Sequence, residues 1–336
     1  MLDELTEHLR AGIRLADPRR YAPVRGGLWR ARRAQRAEKA ARTAQRATVE
    51  AVASERAYRK EFAELASRLT PYIAVEKDGS TYFLPTRQKF GVSRFSWWNW
   101  KEHRHLERAL AILERLGIDL PGAAFVDVGA NIGTTTVHAL RRFPFTAAYA
   151  FEPEPENFRL LRANLAANGL DDVVQSFNTA VSDRSGTGTL SLRSEIGSKH
   201  RLVGDGRPEA AGLAVPLVTL DQLVADGRLD AEVVGMFWLD VEGHELEVLQ
   251  GSQTLLVRST PIVMEFDPRV LDGARFQAFR DLLAAHYTGV VDLRTERPEE
   301  PEVLPFSALE QIARRYSRIY TDLLVFRAPG APSATG

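Results

Sequence analysis

The sequence predicts a doubly wound α/β protein with a mostly parallel sheet and a helical N-terminal extension. Three observations carry this. From Pro121 onward, apolar runs of strand length alternate with stretches of helical period. One run, AAFVDVG, ends in a glycine turn that opens a helix. From Leu28 to Thr70 there is neither Gly nor Pro, and Gly26-Gly27 and Pro71 bound that stretch.

The 28–70 stretch reads as one long helix. Positions 34, 37, 41, 44, 48, 51, 55, 58, 62, 65 and 69 step by three and four, but the seam is small until Tyr58. The favoured reading is a solvated helix whose last turns dock on the main domain. A coiled coil over 28–70 that makes a homo-oligomer is the alternative. YIAVEKDGSTYFLP alternates around Asp78-Gly79 and predicts a hairpin. SRFSWWNWKEHRHLERALAILERLG continues as an amphipathic helix. Trp97, Trp98 and Trp100 face either a substrate or the core, and aromatics at such spacing more often fill a core.

Strands and helices then alternate: TAAYAFEP before PENFRLLRANLAANG, DVVQSFNTAVSD with its exit loop, and TGTLSLRS as a short extra strand. Residues 195–212 read as a loop or lid. AVPLVTLDQLVADG turns from strand to helix, VVGMFWLDVEG precedes the helix HELEVLQGSQTLL, and PIVMEFDP precedes ARFQAFRDLLAAH. TGVVDLR and YTDLLVFRA close the sheet around a short helix at Phe306 to Arg315. The expected divisions are 1–70 (basic helical extension), 71–120 (hairpin and lead-in helix), 121–328 (α/β domain) and 329–336 (disordered tail).

At 336 residues, 44% hydrophobic and 26% charged, the chain has the balance of a soluble globular protein. Net charge is zero, but residues 1–70 hold 16 Lys and Arg against 9 Asp and Glu, so the remainder carries −7. An acidic α/β domain argues against a nucleic-acid partner. The absence of cysteine removes disulfides, thiolate metal sites and cysteine nucleophiles together. No apolar run approaches the length of a spanning helix and no signal peptide is evident, so a cytoplasmic location is expected.

The chemistry is concentrated at strand ends. In VDVGANIG the middle glycine of the dinucleotide fingerprint is replaced, which counts against NAD or FAD, and no Gly-Lys-Ser/Thr follows for a P-loop. What remains is Asp127 before a turn with Gly129 and Gly133. Such a turn suits S-adenosylmethionine, whose cationic groups want a carboxylate and whose carboxylate wants amides at a helix N-terminus. Glu152, ending the next strand, is placed to accept ribose hydroxyls; the competing reading is a carboxylate at a helix N-terminus. The expected cofactor set is Asp127, Gly129, Ala130, Asn131, Gly133, Thr134, Glu152, Pro153, Asn178 and Ala180, the last two near the adenine edge.

A fourth strand ends in LDVEGHE. Several carboxylates at one strand edge imply a proton or cation handled there. Asp240, Glu242 or His244 is the expected base for an acceptor hydroxyl. The bland reading makes Glu242 and Glu245 helix caps and His244 a solvated first-turn residue. A divalent cation held by Asp240, Glu242 and Glu265 is an alternative way to activate the hydroxyl, with no metal assigned.

VDVGANIG, AFEPEPENFRLLRANLAANG, AVSD, VTLDQL, LDVEGHELEVLQGS and PIVMEF, in this order, resemble the FkbM family of S-adenosylmethionine-dependent methyltransferases. The resemblance runs from about Pro121 to Glu265. It implies a Rossmann-like seven-stranded sheet with an antiparallel last strand, and O-methylation of a hydroxyl on a sugar, glycolipid, polysaccharide or polyketide. It also implies a Lys where this chain has Trp238, so a balancing cation is lost, and His244 is expected to supply another. An N-methyltransferase and a non-catalytic cofactor-binding scaffold assembled through the N-terminal helix are the alternatives.

Overall fold

The computed structural model describes residues 61–86, 101–120, 122–191, 201–203, 212–271, 273–294 and 302–330. These lie in one compact unit that begins at Glu61. The expected helix over 28–70 enters it only as α1, residues 61–69. The rest of that helix, its coiled-coil alternative, and Trp97, Trp98 and Trp100 lie outside the described residues. In α1, Ala66 is buried, whereas Phe62, Leu65 and Leu69 are 46%, 55% and 74% exposed. The covered face of α1 thus runs through Ala66 with Ala63 and Ser67 part-buried, while its large residues face solvent.

The hairpin forms as read. β1 (Tyr72–Lys77) pairs antiparallel with β2 (Ser80–Pro85), and Asp78 and Gly79 both take positive φ, as a two-residue primed turn requires. The outer edge of β2 is met by two asparagine side chains rather than by a strand. Helix α2 (Lys101–Arg115) precedes β3 (Ala124–Val128), α3 (Thr134–Arg142), β4 (Ala147–Phe151) and α4 (Pro155–Ala167). From α4, Asn164 accepts from the Phe83 amide and donates to the Ile132 carbonyl, while Asn168 accepts from the Thr81 amide and donates to its carbonyl. Asn164 is fully buried and so ties the hairpin to the glycine turn. Asn164→Leu should lower unfolding free energy by about 2–4 kcal/mol, because it leaves a buried amide and a carbonyl unpaired. Urea denaturation checks this; a loss below about 1 kcal/mol would show that water replaces both bonds.

The remaining elements are β5 (Val174–Phe177), β6 (Ala180–Val181), β7 (Gly186–Ser191), β8 (Arg201–Val203), β9 (Gly212–Val218), α5 (Leu220–Ala225), β10 (Val234–Leu239), α6 (Glu245–Gln250), α7 (Gln253–Val257), β11 (Ile262–Phe266), α8 (Gly273–Ala284), β12 (Gly289–Asp292), β13 (Val303–Pro305), α9 (Leu309–Arg315) and β14 (Thr321–Phe326). The main sheet runs β13-β12-β14-β11-β10-β3-β4-β5. β5, β4, β3, β10 and β11 are mutually parallel, and β14 inserts antiparallel between β11 and β12. This is a doubly wound, Rossmann-like sheet. It has eight strands rather than the seven expected, because the three-residue β13 pairs along β12.

All six residues of β10 are buried, and beyond the irregularity between Val234 and Met236 they alternate between the two faces: Met236 and Trp238 pack in one core, Phe237 and Leu239 in the other. Trp238 is thus a core residue, only 3% exposed.

Three further expectations are corrected. The exit loop expected in DVVQSFNTAVSD is not all loop: β5 ends the main sheet, and β6 follows within that exit and joins a separate sheet of order β6-β9-β7-β8. Residues 201–203, inside the expected 195–212 loop, form β8 against β7. HELEVLQGSQTLL breaks into α6 and α7. A Cβ on Gly251 would lie 2.0 Å from the Ser182 carbonyl, so only glycine passes there. The Asp221 carboxylate then accepts from the amides of Gln253 and Thr254 and caps α7.

Candidate active site

β3 and β10 are neighbours, so their carboxyl ends bring the glycine turn and the LDVEGHE turn together. Asp127 is the fourth residue of β3. It is buried, its Oδ2 accepts from Thr136 Oγ1, and its Oδ1 has no hydrogen-bond partner. Burial lifts its pKa to about 7, against the opposing pull of Thr136. An orphaned carboxylate oxygen in a buried position is costly in the empty protein and marks a place for a donor.

The turn itself is built by protein contacts. Gly129 has φ 87°, Asn131 φ 50° and Gly133 φ 83°. The amides of Gly129 and Ala130 both donate to the Phe151 carbonyl, and the Asn131 amide donates to Glu152 Oε2 at 2.9 Å. Those amides are therefore committed to the turn. The first turn of α3, which Thr134 opens, presents the next helix N-terminal amides, of which that of Thr136 turns to Asp127. Glu152 Oε1 also accepts from the Glu154 amide at 2.8 Å. Glu152 is buried, which raises its pKa to about 7. The carboxylate expected to hold ribose thus also clamps its own strand end to the glycine turn. Each oxygen retains a second lone pair for a hydroxyl.

Glu154 caps α4 through the Asn157 amide, with Pro155 opening the helix. Asn178 donates its side-chain amide to the carbonyls of Glu152 and Pro153 at 2.9 and 3.1 Å. It holds the strand end in shape and keeps its own carbonyl oxygen. Ala180 is buried in β6 against β9, within the small core of the second sheet.

On the other side of the turn, Asp240, Glu242 and Glu265 each offer an oxygen, all within 4.8 Å of one another. Burial and then the Glu242 carboxylate push Asp240 well above the usual carboxylate range, while Lys101 opposes them. Glu265 is raised by burial and by Asp240 and Glu242. Such a group holds at least one shared proton near neutrality. The positive φ of Glu242, 51°, and of Gly243, 96°, turns the chain back toward α6. Glu245 accepts from the Gly243 amide and is the structural carboxylate of the turn.

His244 stands apart from the trio. Its Nε2 lies 2.9 Å from Ser182 Oγ and its Nδ1 lies 3.6 Å from Glu247, which Arg275 also holds. Burial keeps its pKa below the ordinary imidazole value. The expected replacement cation is therefore a depressed imidazole that ties α6 to the exit of β6. Sequence reasoning missed Lys101, His105 and Asp322. Lys101 Nζ lies 2.6 Å and His105 Nδ1 3.4 Å from Asp322 Oδ2. The readable signal was an aspartate inside the apolar strand TDLLVF.

A doubly wound sheet with an orphaned acid at a glycine turn and a second acidic turn beside it is a Rossmann-like domain with a candidate ligand site at its strand ends. Residues 127–287 match the family model of the methyltransferase FkbM domain. The chain is similar to the methyltransferase SdnD of Sordaria araneosa, at 29% identity over 40% of this chain and 62% of that one. It is similar to the 2-O-methyltransferase NoeI of Sinorhizobium fredii, at 25% identity over 54% of this chain and 76% of that one. The 31-O-demethyl-FK506 methyltransferase FkbM of Streptomyces tacrolimicus is 32% identical over 45% of this chain and 54% of its own length. The chain thus spans less than two thirds of the first and third of these relatives. No helix among the described residues is long and apolar enough to cross a membrane.

Proposed function

We propose that the chain is an S-adenosylmethionine-dependent methyltransferase directed at a hydroxyl oxygen of a sugar, glycolipid, polysaccharide or polyketide. The observation that carries this is the unpartnered oxygen of buried Asp127, beside a glycine turn on one side and three clustered carboxylates on the other. One relative is named a 2-O-methyltransferase and another a methyltransferase of 31-O-demethyl-FK506, which supports oxygen over nitrogen.

When bound, S-adenosylmethionine supplies a methyl group on a sulfonium for in-line transfer and leaves as S-adenosylhomocysteine. Asp127 meets the donor's ammonium, the first turn of α3 its carboxylate, and Glu152 its ribose hydroxyls. Asp240 takes the acceptor's proton, with Glu265 sharing the charge. The alternative is a divalent ion that activates the hydroxyl, for which Asp240, Glu242 and Glu265 have the donor atoms.

Calorimetry with S-adenosylmethionine tests the reading. A carboxyl raised to about 7 in the folded state favours the empty fold below the unfolded carboxylate pKa and withdraws that support as pH rises through about 7. The cationic ligand needs the ionised form, so its affinity should rise by up to about tenfold per pH unit below that point, then level off. Asp127→Asn should weaken binding and flatten the profile. No heat of binding with the wild-type chain would reject the reading; a pH-independent affinity would remove Asp127 from the site.

A further inference from the structure

The acidic strand ends hold one more element, contributed from outside the α/β domain proper. Asp322 in β14 stands opposite Glu265 in β11 in the antiparallel register, so a fourth carboxylate borders the trio. Lys101, the first residue of α2, reaches this edge. Its Nζ lies 2.6 Å from Asp322 Oδ2 and 4.4 Å from the centre of the Tyr320 ring. His105, one turn on, approaches the same Asp322 oxygen. Lys101 is 24% exposed and Asp322 7%, so solvent screens the pair only in part. Burial acts to lower the Lys101 ammonium, yet Asp322, Tyr320 and Asp240 raise it above its ordinary value. Burial likewise acts to raise Asp322, and His105 and Lys101 bring it below the usual carboxylate range. The 2.6 Å contact thus sets an ion pair on β14 directly across from Glu265.

We propose that Lys101 is a positioning residue of the acceptor site: pinned by Asp322, its ammonium supplies a fixed positive charge that lowers the demand of Asp240, Glu242 and Glu265 for a divalent cation. This rests on the preceding reading only in taking the trio to face the acceptor. A Lys101–Asp322 pair that served merely to hold α2 on the sheet would leave the trio's appetite for cations unchanged.

The test is a Mn²⁺ titration of the full chain by calorimetry at mildly alkaline pH, for wild type, Lys101→Met and Lys101→Arg. Wild type should bind no Mn²⁺ below about 1 mM. Lys101→Met should gain at least about tenfold in Mn²⁺ affinity, and Lys101→Arg, which keeps the charge, should behave as wild type. Micromolar Mn²⁺ binding by wild type would overturn the proposal, since the trio would then be a metal site. Equal affinities in wild type and Lys101→Met would overturn it too, as would an Arg variant that binds like the Met variant. Melting curves report folding, and Lys101→Gln carries the same comparison if the Met variant does not fold. The titration needs no cofactor, so a chain that fails to bind S-adenosylmethionine sinks the functional reading and leaves this result standing.

Discussion

Gly129→Ala should destabilise the protein by at least about 3 kcal/mol and abolish cofactor binding. Two effects add. At φ 87° an L side chain pays about 1–2 kcal/mol for the left-handed conformation alone. The new Cβ would also lie 1.9 Å from the Asp240 carbonyl oxygen, a backbone atom that cannot rotate away. Relieving that overlap separates β3 from β10 at their carboxyl ends, which is where the two functional turns meet. Gly133→Ala is the built-in comparison. Its φ is similar, 83°, but its Cβ would meet Leu161 Cδ1 at 2.5 Å, the end of a side chain with other rotamers. It should cost about 1–2 kcal/mol and weaken rather than abolish binding. Urea unfolding and calorimetry on both variants decide the matter. Equal losses would show that the strand contact at Gly129 adds nothing to the backbone strain.

This comparison also sharpens what the opening motif means. A glycine in such a turn is usually credited with letting a ligand approach the backbone. In this chain the face of Gly129 that would carry Cβ is filled by the Asp240 carbonyl, so the glycine is required by protein packing. Asp127 and Glu152 were legible because each ends an apolar run just before a turn, a purely local pattern. That Glu152 spends both oxygens on the amides of Asn131 and Glu154 was not legible, since Asn131 lies 21 residues away and its geometry is set by the fold. The same limit explains the missed cation. Lys101 and Asp322 are 221 positions apart and meet only because β14 inserts beside β11. The break between α6 and α7 depends on Ser182 and Asp221, which no helical period in residues 244–256 reveals. Asn164 and Asn168 likewise read as ordinary helix residues, although they pair with the edge of β2.

The largest effect on turnover should come from Asp240→Asn, with methyl transfer falling by about 10²–10⁴-fold while S-adenosylmethionine affinity changes by less than about tenfold. Asparagine keeps the size of the side chain and removes the proton acceptor. Asp240 is also the member of the trio that Lys101 favours in its ionised form. Its raised pKa gives the pH dependence a sign: the base works deprotonated, so the wild-type rate should climb as pH rises through the titration of the Asp240–Glu265 pair. Glu265→Gln removes one of the two charges. Asp240 should then ionise at lower pH, and the rising limb should move to the acid side without a comparable loss of maximal rate. A deletion strain supplies the assay, since its glycans should lack about one methylene of mass, about 14 Da, that wild type restores and the Asp240→Asn chain does not. Full restoration by that variant would move the base elsewhere, and His244, held between Ser182 and Glu247, would be the next residue to replace.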